Sequence, residues 1–327
     1  MPTRATAIAG ANIAFIKYWG RASSSPLVPL NSSISMTLDA AHTTTTVAFA
    51  DDYADDSLTL NDAPAGAEAT LRASRHLDRL RALARTDARA QVVSRNSFPA
   101  ASGIASSASG FAALTVAAAA ALGLALTPQQ MAALAREESG SAARSLLGGY
   151  VEWDAHAPDE ACIRQLAPEE HWDLVDVIAI VSEAAKPVSS LGGHALAHTS
   201  PLLGARIAAL EAALAQTRDA IARRDLALLG EVAEADALSL HAIALTSRPP
   251  ILYWQPATLT ILHAVLRWRK EGLPAYFTID AGPNVHILTT RVHAEAVAQR
   301  ARALEGVSNV LVCGPGPAPR LTDEHLA

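Results

Sequence analysis

The alternation of apolar and polar positions divides the chain into alternating strand and helix signals. Segments 5–19 and 33–38 carry apolar and small residues that predict strands, and the β-branched run 43–50 (TTTTVAFA) predicts another. A short strand over 57–60 ends at the turn-like pair Asn61-Asp62. Across 67–85, Leu71, Leu77, Leu80 and Leu83 recur at helical spacing and predict an amphipathic helix with these leucines on one side. A strand over 90–94 follows. The small-residue stretch 97–110 (SFPAASGIASSASG) then reads as a loop opening into an Ala-rich helix over 111–122. Thr127-Pro128 supplies an N-cap and a first-turn proline for the next helix. That helix ends near Glu138-Ser139-Gly140, where a second small-residue turn leads into 144–147.

Segments 151–153 and 162–166 predict strands, and 174–181 predicts a buried one. Near residue 182 the pattern changes to long helices over 201–223, 226–244 and 256–271. These are followed by strands over 276–280, 285–290 and 307–313, with a helix over 292–303 between the last two. The expectation is two domains, 1–181 and 182–327, without internal repeats.

Composition narrows the class. Half of the 327 residues are hydrophobic and 18% are charged, too apolar for a disordered chain. The longest apolar stretch, 111–126, contains Thr115 and Gly123 and falls short of the ~20 residues that span a bilayer. Net charge is −6, so no basic footprint for nucleic acid is present. Gly10 and Asn12 interrupt the apolar run 5–16, which argues against a signal peptide. Two cysteines, Cys162 and Cys313, form no metal-spaced pair. A reduced, soluble, cytoplasmic protein is expected.

Four segments hold candidate chemistry. The first is 99–110, a Ser/Gly loop before a helix: an anion-binding turn, or a flexible turn ahead of a buried helix. It matches neither the P-loop nor the dinucleotide-binding glycine pattern. In the second, 138–145, Arg144 stands among hydroxyls and small residues, as a fork for carboxylate or phosphate or as an ordinary surface arginine. The third centres on Lys17, one of only three lysines among 26 basic residues, beside Tyr18 and Trp19 at the end of an apolar strand. The fourth is Asp280 before a Gly-Pro turn, either turn-forming or facing a cleft. His194 and His198 lie four residues apart but lack an H-E-x-x-H context, so they are read as surface or capping residues. No G-x-S-x-G element for a serine hydrolase is present.

In order along the chain, NIAFIKYWG (12–20), PLNSSIS (29–35), the 98–110 loop, 139–145 with GGYVEW (148–153), His241-Ala242, 249–253, DAGPN (280–284) and CGPGP (313–317) resemble the mevalonate diphosphate decarboxylase family of the GHMP kinase superfamily. The resemblance runs nearly end to end. It implies an α+β GHMP kinase fold, with a ribosomal-S5-domain-2-like N-terminal half and a ferredoxin-like C-terminal half. It implies ATP and Mg²⁺ as cofactors, a mevalonate-derived substrate in the cleft between the halves, and a homodimer without nucleic-acid or membrane partners.

By the same resemblance Asp280 accepts or orients the proton of the substrate 3-hydroxyl, Lys17 keeps that carboxylate ionised, and Arg144 clamps a carboxylate or phosphate. Asn12, Tyr18, Arg21, Ser139, Gly140 and Ser141 bind substrate. Ser94, Asn96, Ser102, Gly103, Ala105, Ser106 and Ser107 bind the nucleotide, with Ser106 as the Mg²⁺ contact. Rivals are a mevalonate 3-kinase, another GHMP kinase and a binding protein that kept the fold. Diphosphate enzymes of the family typically follow KYWG with Lys-Arg-Asp, whereas this chain has Arg21-Ala22-Ser23, and Leu191 stands where bacterial members often carry Arg. A diphosphate calls for more donors than a monophosphate. The expected substrate is therefore mevalonate 5-phosphate, giving isopentenyl phosphate, with the 5-diphosphate as the alternative.

Overall fold

The computed structural model describes residues 3–24, 27–98, 106–158, 161–182 and 188–327. In chain order, the first half contains β1 (Thr3–Ile16), β2 (Arg21–Ser24), β3 (Leu27–Pro29), β4 (Ser33–Ala50), β5 (Ser57–Leu60), β6 (Ala63–Pro64), α1 (Ala67–Ala84), β7 (Arg89–Asn96), α2 (Ser106–Ala121), α3 (Pro128–Arg136), β8 (Tyr150–Trp153) and β9 (Ile163–Ala167). The second contains β10 (Leu174–Ile180), α4 (Ser190–Leu196), α5 (Leu203–Arg223), α6 (Leu226–Thr246), α7 (Pro256–Lys270), β11 (Tyr276–Thr278), β12 (Val285–Thr290), α8 (Arg291–Arg302), β13 (Asn309–Cys313) and β14 (Arg320–Thr322). The architecture is mixed α+β, as expected.

β1 and β4 form a long antiparallel ladder, and the segments read as separate strands over 33–38 and 43–50 are one element. Their separation in the sequence pattern has a physical source. Between the pairs Gly10↔His42 and Asn12↔Thr37, β4 spends five residues while β1 spends two, so residues 38–41 bulge and Asp39 and Ala40 reach solvent. Gly10 permits this close crossing, because a Cβ there would lie 2.4 Å from the Leu38 carbonyl oxygen. The ladder resumes at Asn12. Around this pair, β7 and β8 join β4, β5 runs parallel to β7, and β14 returns from the far end of the chain to flank β1.

Two helices correct the sequence pattern. In α1 the buried stripe is Ala73, His76, Leu77, Leu80 and Arg81, while Leu71 and Leu83 are exposed. Arg81 is tolerated inside because its two Nη atoms meet Asp56 at 2.9 and 2.7 Å. α2 begins at Ser106 rather than 111, so the end of the expected loop is the first turn of a helix. Its alanines, among them Ala112, Ala113, Ala117 and Ala118 at 0% exposure, bury nearly the whole circumference.

The second sheet, ordered β11-β12-β10-β13, is antiparallel. Alternation along β10 sends Leu174, Ile178 and Ile180 to a core shared with α5 and α6. Val175, Val177 and Ala179 enter a second core shared with α7 and α8. Asp176, the one charge in this strand, is paired with His286 Nδ1 at 2.7 Å. β10 lies on the N-terminal side of the expected division at 182. The halves are tied by the fully buried Glu152 of β8, whose carboxylate accepts from Arg164 and from Arg218 of α5, each at 2.7 Å. Among the described residues no helix is long and apolar enough to cross a membrane.

Candidate active site

Between the halves lies a cleft of about 500 Å³. It is lined by the expected Asn12, Lys17, Tyr18, Arg21, Ser106, Ser107, Ser139, Gly140, Ser141, Arg144 and Asp280. Lys17 stands one residue past the end of β1. Its Nζ donates to Asp280 Oδ1 at 2.6 Å and to the Ala14 carbonyl at 2.6 Å. The Lys17 side chain is 4% exposed and that of Asp280 25%, so the lysine is enclosed while the carboxylate keeps a face open. Asp280 sits beyond β11, which ends at Thr278 rather than 280 as the pattern suggested.

Arg144 is held inside a 3₁₀ helix, Gly140–Leu146, and is no surface residue. Its Nε donates to Ser35 Oγ at 2.9 Å, Nη1 to Ser33 Oγ at 2.7 Å and Nη2 to Asn12 Oδ1 at 3.1 Å. Asn12 Nδ2 in turn donates to Ser145 Oγ at 2.8 Å, which fixes the amide orientation. These three described partners of the guanidinium are neutral. Burial accordingly pushes Arg144 down to about 10, with Tyr18 and Asp280 acting the other way. It remains charged near neutral pH and would gain from an anion placed beside it.

The small-residue segments meet one another. Ser139 Oγ donates to Ser107 Oγ at 3.1 Å and lies 3.3 Å from Ser141 Oγ, so the start of α2 and the 139–141 turn share one wall. Gly140 is required there, since a Cβ would stand 2.3 Å from the Tyr18 hydroxyl. Burial pushes the Tyr18 phenol up, while the neighbouring Arg21 and Arg144 pull it down.

A second cavity, of about 240 Å³, shares Arg72, Ser106 and Ser107 with the cleft. Ser94 and Asn96 line this cavity and not the cleft. Ser94 Oγ lies 2.8 Å from Thr45 Oγ1, and Asn96 Oδ1 accepts from Thr43 Oγ1 at 2.8 Å. Leu58, Val92, Phe111 and Leu114 supply apolar walls. Ser102, Gly103 and Ala105 lie outside the described residues. Glu152, within the GGYVEW segment that carries part of the family resemblance, is occupied by its two arginines and does not line the cleft.

Sequence reasoning missed several members. His194 is not a surface residue: it is 7% exposed and lines the cleft. Its Nδ1 accepts from the Gly20 N–H at 3.0 Å, which leaves the ring proton on Nε2. The ring stacks on Tyr18 at 4.4 Å and packs against Trp19 at 4.6 Å. Burial, followed by the charge of Arg21, pushes it down to about 3, so it is neutral near pH 7. Arg72 was also missed. It stands 5.0 Å over the Phe111 ring and, with Arg75 and Arg79, surrounds the buried Glu138. The spacing of these arginines along α1, opposite an acidic residue at the end of α3, was the available signal. Among the described residues no cluster of three or more His, Cys, Asp or Glu side chains could hold a metal.

Two family models match the chain: the diphosphomevalonate decarboxylase-like N-terminal domain over residues 9–164, and the mevalonate 5-diphosphate decarboxylase C-terminal domain over 176–313. Diphosphomevalonate decarboxylase of Ganoderma lucidum is 35% identical over 90% of this chain and 80% of its own length. Phosphomevalonate decarboxylase of Haloferax volcanii is 34% identical over 98% and 99%. Among solved structures, MDDEF in complex with MVAPP, AMPPCP and magnesium superposes with TM-score 0.92 at 36% identity, covering 99% of this chain and 100% of that one. The mevalonate diphosphate decarboxylase from Enterococcus faecalis superposes with TM-score 0.91 at 35% identity, with the same coverage.

Proposed function

The chain belongs to the diphosphomevalonate decarboxylase family, ATP-dependent decarboxylases of phosphorylated mevalonate with the GHMP kinase fold, and we propose that its own substrate is mevalonate 5-phosphate and its product isopentenyl phosphate. The carrying observation is the charge inventory of the cleft. Its described cations are Lys17, Arg21, Arg72 and Arg144. Lys17 is engaged by Asp280, and Arg72 by Glu138. Arg144 and Arg21 are left for the two anionic ends of a substrate. One carboxylate and one monophosphate match that pair, whereas a diphosphate adds charge at an end where Leu191 offers no donor.

In this reading Arg144 holds the carboxylate, and the Ser139–Ser141 turn and Arg21 hold the 5-phosphate. The second cavity takes the adenine base between its apolar walls, with Ser94 and Asn96 at its polar edge. Ser106 and Ser107 open α2 and line both spaces, so the nucleotide phosphates cross there, where helix N–H groups favour anions. Mg²⁺ suits this oxygen-rich junction. With no acidic cage among the described residues, it would be held by phosphate oxygens together with Ser106, and it would offset phosphate charge during transfer.

The γ-phosphoryl passes to the 3-hydroxyl oxygen while Asp280 takes the hydroxyl proton. The Lys17 ammonium beside Asp280 stabilises charge during the transfer. The C3–O bond then breaks as phosphate leaves, and the electron pair of the C–CO₂ bond forms the alkene. Catalysis rests on positioning and electrostatics.

The reading with mevalonate 5-diphosphate is favoured by the names of most relatives and by MVAPP in the superposed complex. Side-by-side kcat/KM for mevalonate, its 5-phosphate and its 5-diphosphate tests the choice, and ADP release without CO₂ would mark a 3-kinase. We also infer a cytoplasmic homodimer. The family resemblance supports this, and sedimentation velocity tests the dimer.

A further inference from the structure

Lys17 lies where strand pairing stops, so its backbone N–H and carbonyl need partners from elsewhere. Charged side chains of the second half supply them. The Lys17 N–H donates to Asp236 Oδ2 of α6 at 2.8 Å. The Lys17 carbonyl accepts from Arg206 Nη2 of α5 at 2.8 Å and from Asn31 Nδ2 at 3.0 Å. Arg206 Nη2 also meets Asp236 Oδ1 at 2.9 Å, and Nη1 donates to the Asp236 carbonyl at 3.1 Å. The two side chains are 2% and 3% exposed.

A buried ion pair is a poor way to gain stability, because desolvation offsets its attraction. Two amide groups can be satisfied by neutral partners. What this pair adds is a fixed position for one residue. With both backbone atoms of Lys17 held, only its side-chain torsions remain free, and its ammonium is then caught between Ala14 and Asp280. We propose that the Arg206–Asp236 pair is a positioning device for Lys17, aiming its ammonium at Asp280 and locking the α5–α6 hairpin to the end of β1. The proposal rests on the reading of Lys17 and Asp280 as the reacting pair.

A surface cavity of about 330 Å³ between α5 and α6 is lined by Arg206 and Asp236, with exposed Gln216 and Glu231 at its rim. It shares no lining residue with the cleft. A small cation can therefore reach the pair without entering the reaction site, which makes chemical rescue available.

The test uses the full chain. Arg206→Met combined with Asp236→Leu removes both charges at once and avoids stranding either. The folded double variant should lose at least about tenfold in kcat, with KM for ATP within about twofold. Arg206→Ala should lose a similar factor and recover part of it when methylguanidinium is added below denaturing concentration. Lys17→Met should be inactive and unrescued. Activity retained in Lys17→Met overturns the assignment of Lys17 and the positioning role with it. Activity lost in Lys17→Met but kept in the folded double variant overturns the positioning role alone. So does an inactive, folded Arg206→Ala that methylguanidinium leaves unchanged.

Discussion

Replacing Arg144 by methionine should separate activity from stability. The guanidinium is 3% exposed and, among the described residues, bonded to Ser33, Ser35 and Asn12. Lowering it from 12.5 to about 10 corresponds to an unfavourable burial on the order of 3 kcal/mol. Methionine fills similar space without that charge. Against this gain stands the loss of three hydrogen bonds. The serine hydroxyls can turn to other partners, but Asn12 Oδ1 is orphaned, at about 1–3 kcal/mol. These effects nearly cancel, and the expected change in folding stability is within about 2 kcal/mol. Activity has no such offset. Removing a preorganised cation from the anionic end of the substrate should lower kcat/KM by about 10²–10³, or roughly 2.7–4 kcal/mol. Arg144→Lys should fall nearly as far, because a point charge cannot reproduce a planar fork. Coupled ADP release and CO₂ release give the kinetic side, and urea unfolding gives the stability. A folded variant that loses less than about tenfold in kcat/KM would reduce Arg144 to a structural residue.

Asp280→Asn should abolish CO₂ release while nucleotide binding, measured by calorimetry, stays near normal; turnover within about tenfold of the unmodified protein sinks its role as proton acceptor. Leu191→Arg with Ala22→Lys should raise kcat/KM on the 5-diphosphate more than on the 5-phosphate, and an equal change on both would show that these positions do not sense the outer phosphate. Three of the buried histidines should make the fold acid-sensitive. Burial above all pushes His76 and His194 down to about 3 and His241 to about 4. The unfolded chain therefore takes up protons first, and stability falls as pH drops from about 6.5 towards these values. Between pH 7 and 5 each contributes a loss of about 2 kcal/mol, so urea midpoints should decline and His76→Gln should shallow the decline; a flat profile is the contrary result.

How far the sequence reveals this arrangement depends on the kind of constraint. Short apolar runs were readable, such as 174–181, whose strand β10 packs one core on each face. So were chemical groups standing at breaks in an apolar run, Lys17 and Asp280. The pattern fails where tertiary partners override local character. Arg81 looks like a surface residue until Asp56 is beside it, and Leu71 looks like core until the stripe of α1 turns it outward. His194 was misread because its neighbours Tyr18, Trp19 and Gly20 are remote in sequence. Asp236 and Arg206 escaped notice for the same reason. Each lies in an ordinary helical pattern, and their relation to Lys17 exists only once the halves are packed.

The two deeply buried cations of the cleft differ in what surrounds them, and this difference carries a last prediction. Lys17 already faces a carboxylate, whereas the described partners of Arg144 are neutral oxygens. An anion entering the cleft therefore has more to gain beside Arg144 than beside Lys17. A ligand that binds only the folded state stabilises it by about 1.4 kcal/mol at tenfold its Kd. Sulfate, which resembles phosphate in shape, should raise the unfolding temperature of the unmodified protein in a saturable way and compete with substrate. Sulfate also stabilises most proteins through exclusion from their surfaces, an effect that grows with concentration without saturating. The discriminating comparison is thus with Arg144→Met, in which the saturable part should shrink to what Arg21 and the Ser139–Ser141 turn hold and the linear part remain. If both proteins show the same saturable rise, the anion is bound elsewhere, and the uncompensated charge of Arg144 does not set where anions settle in the cleft.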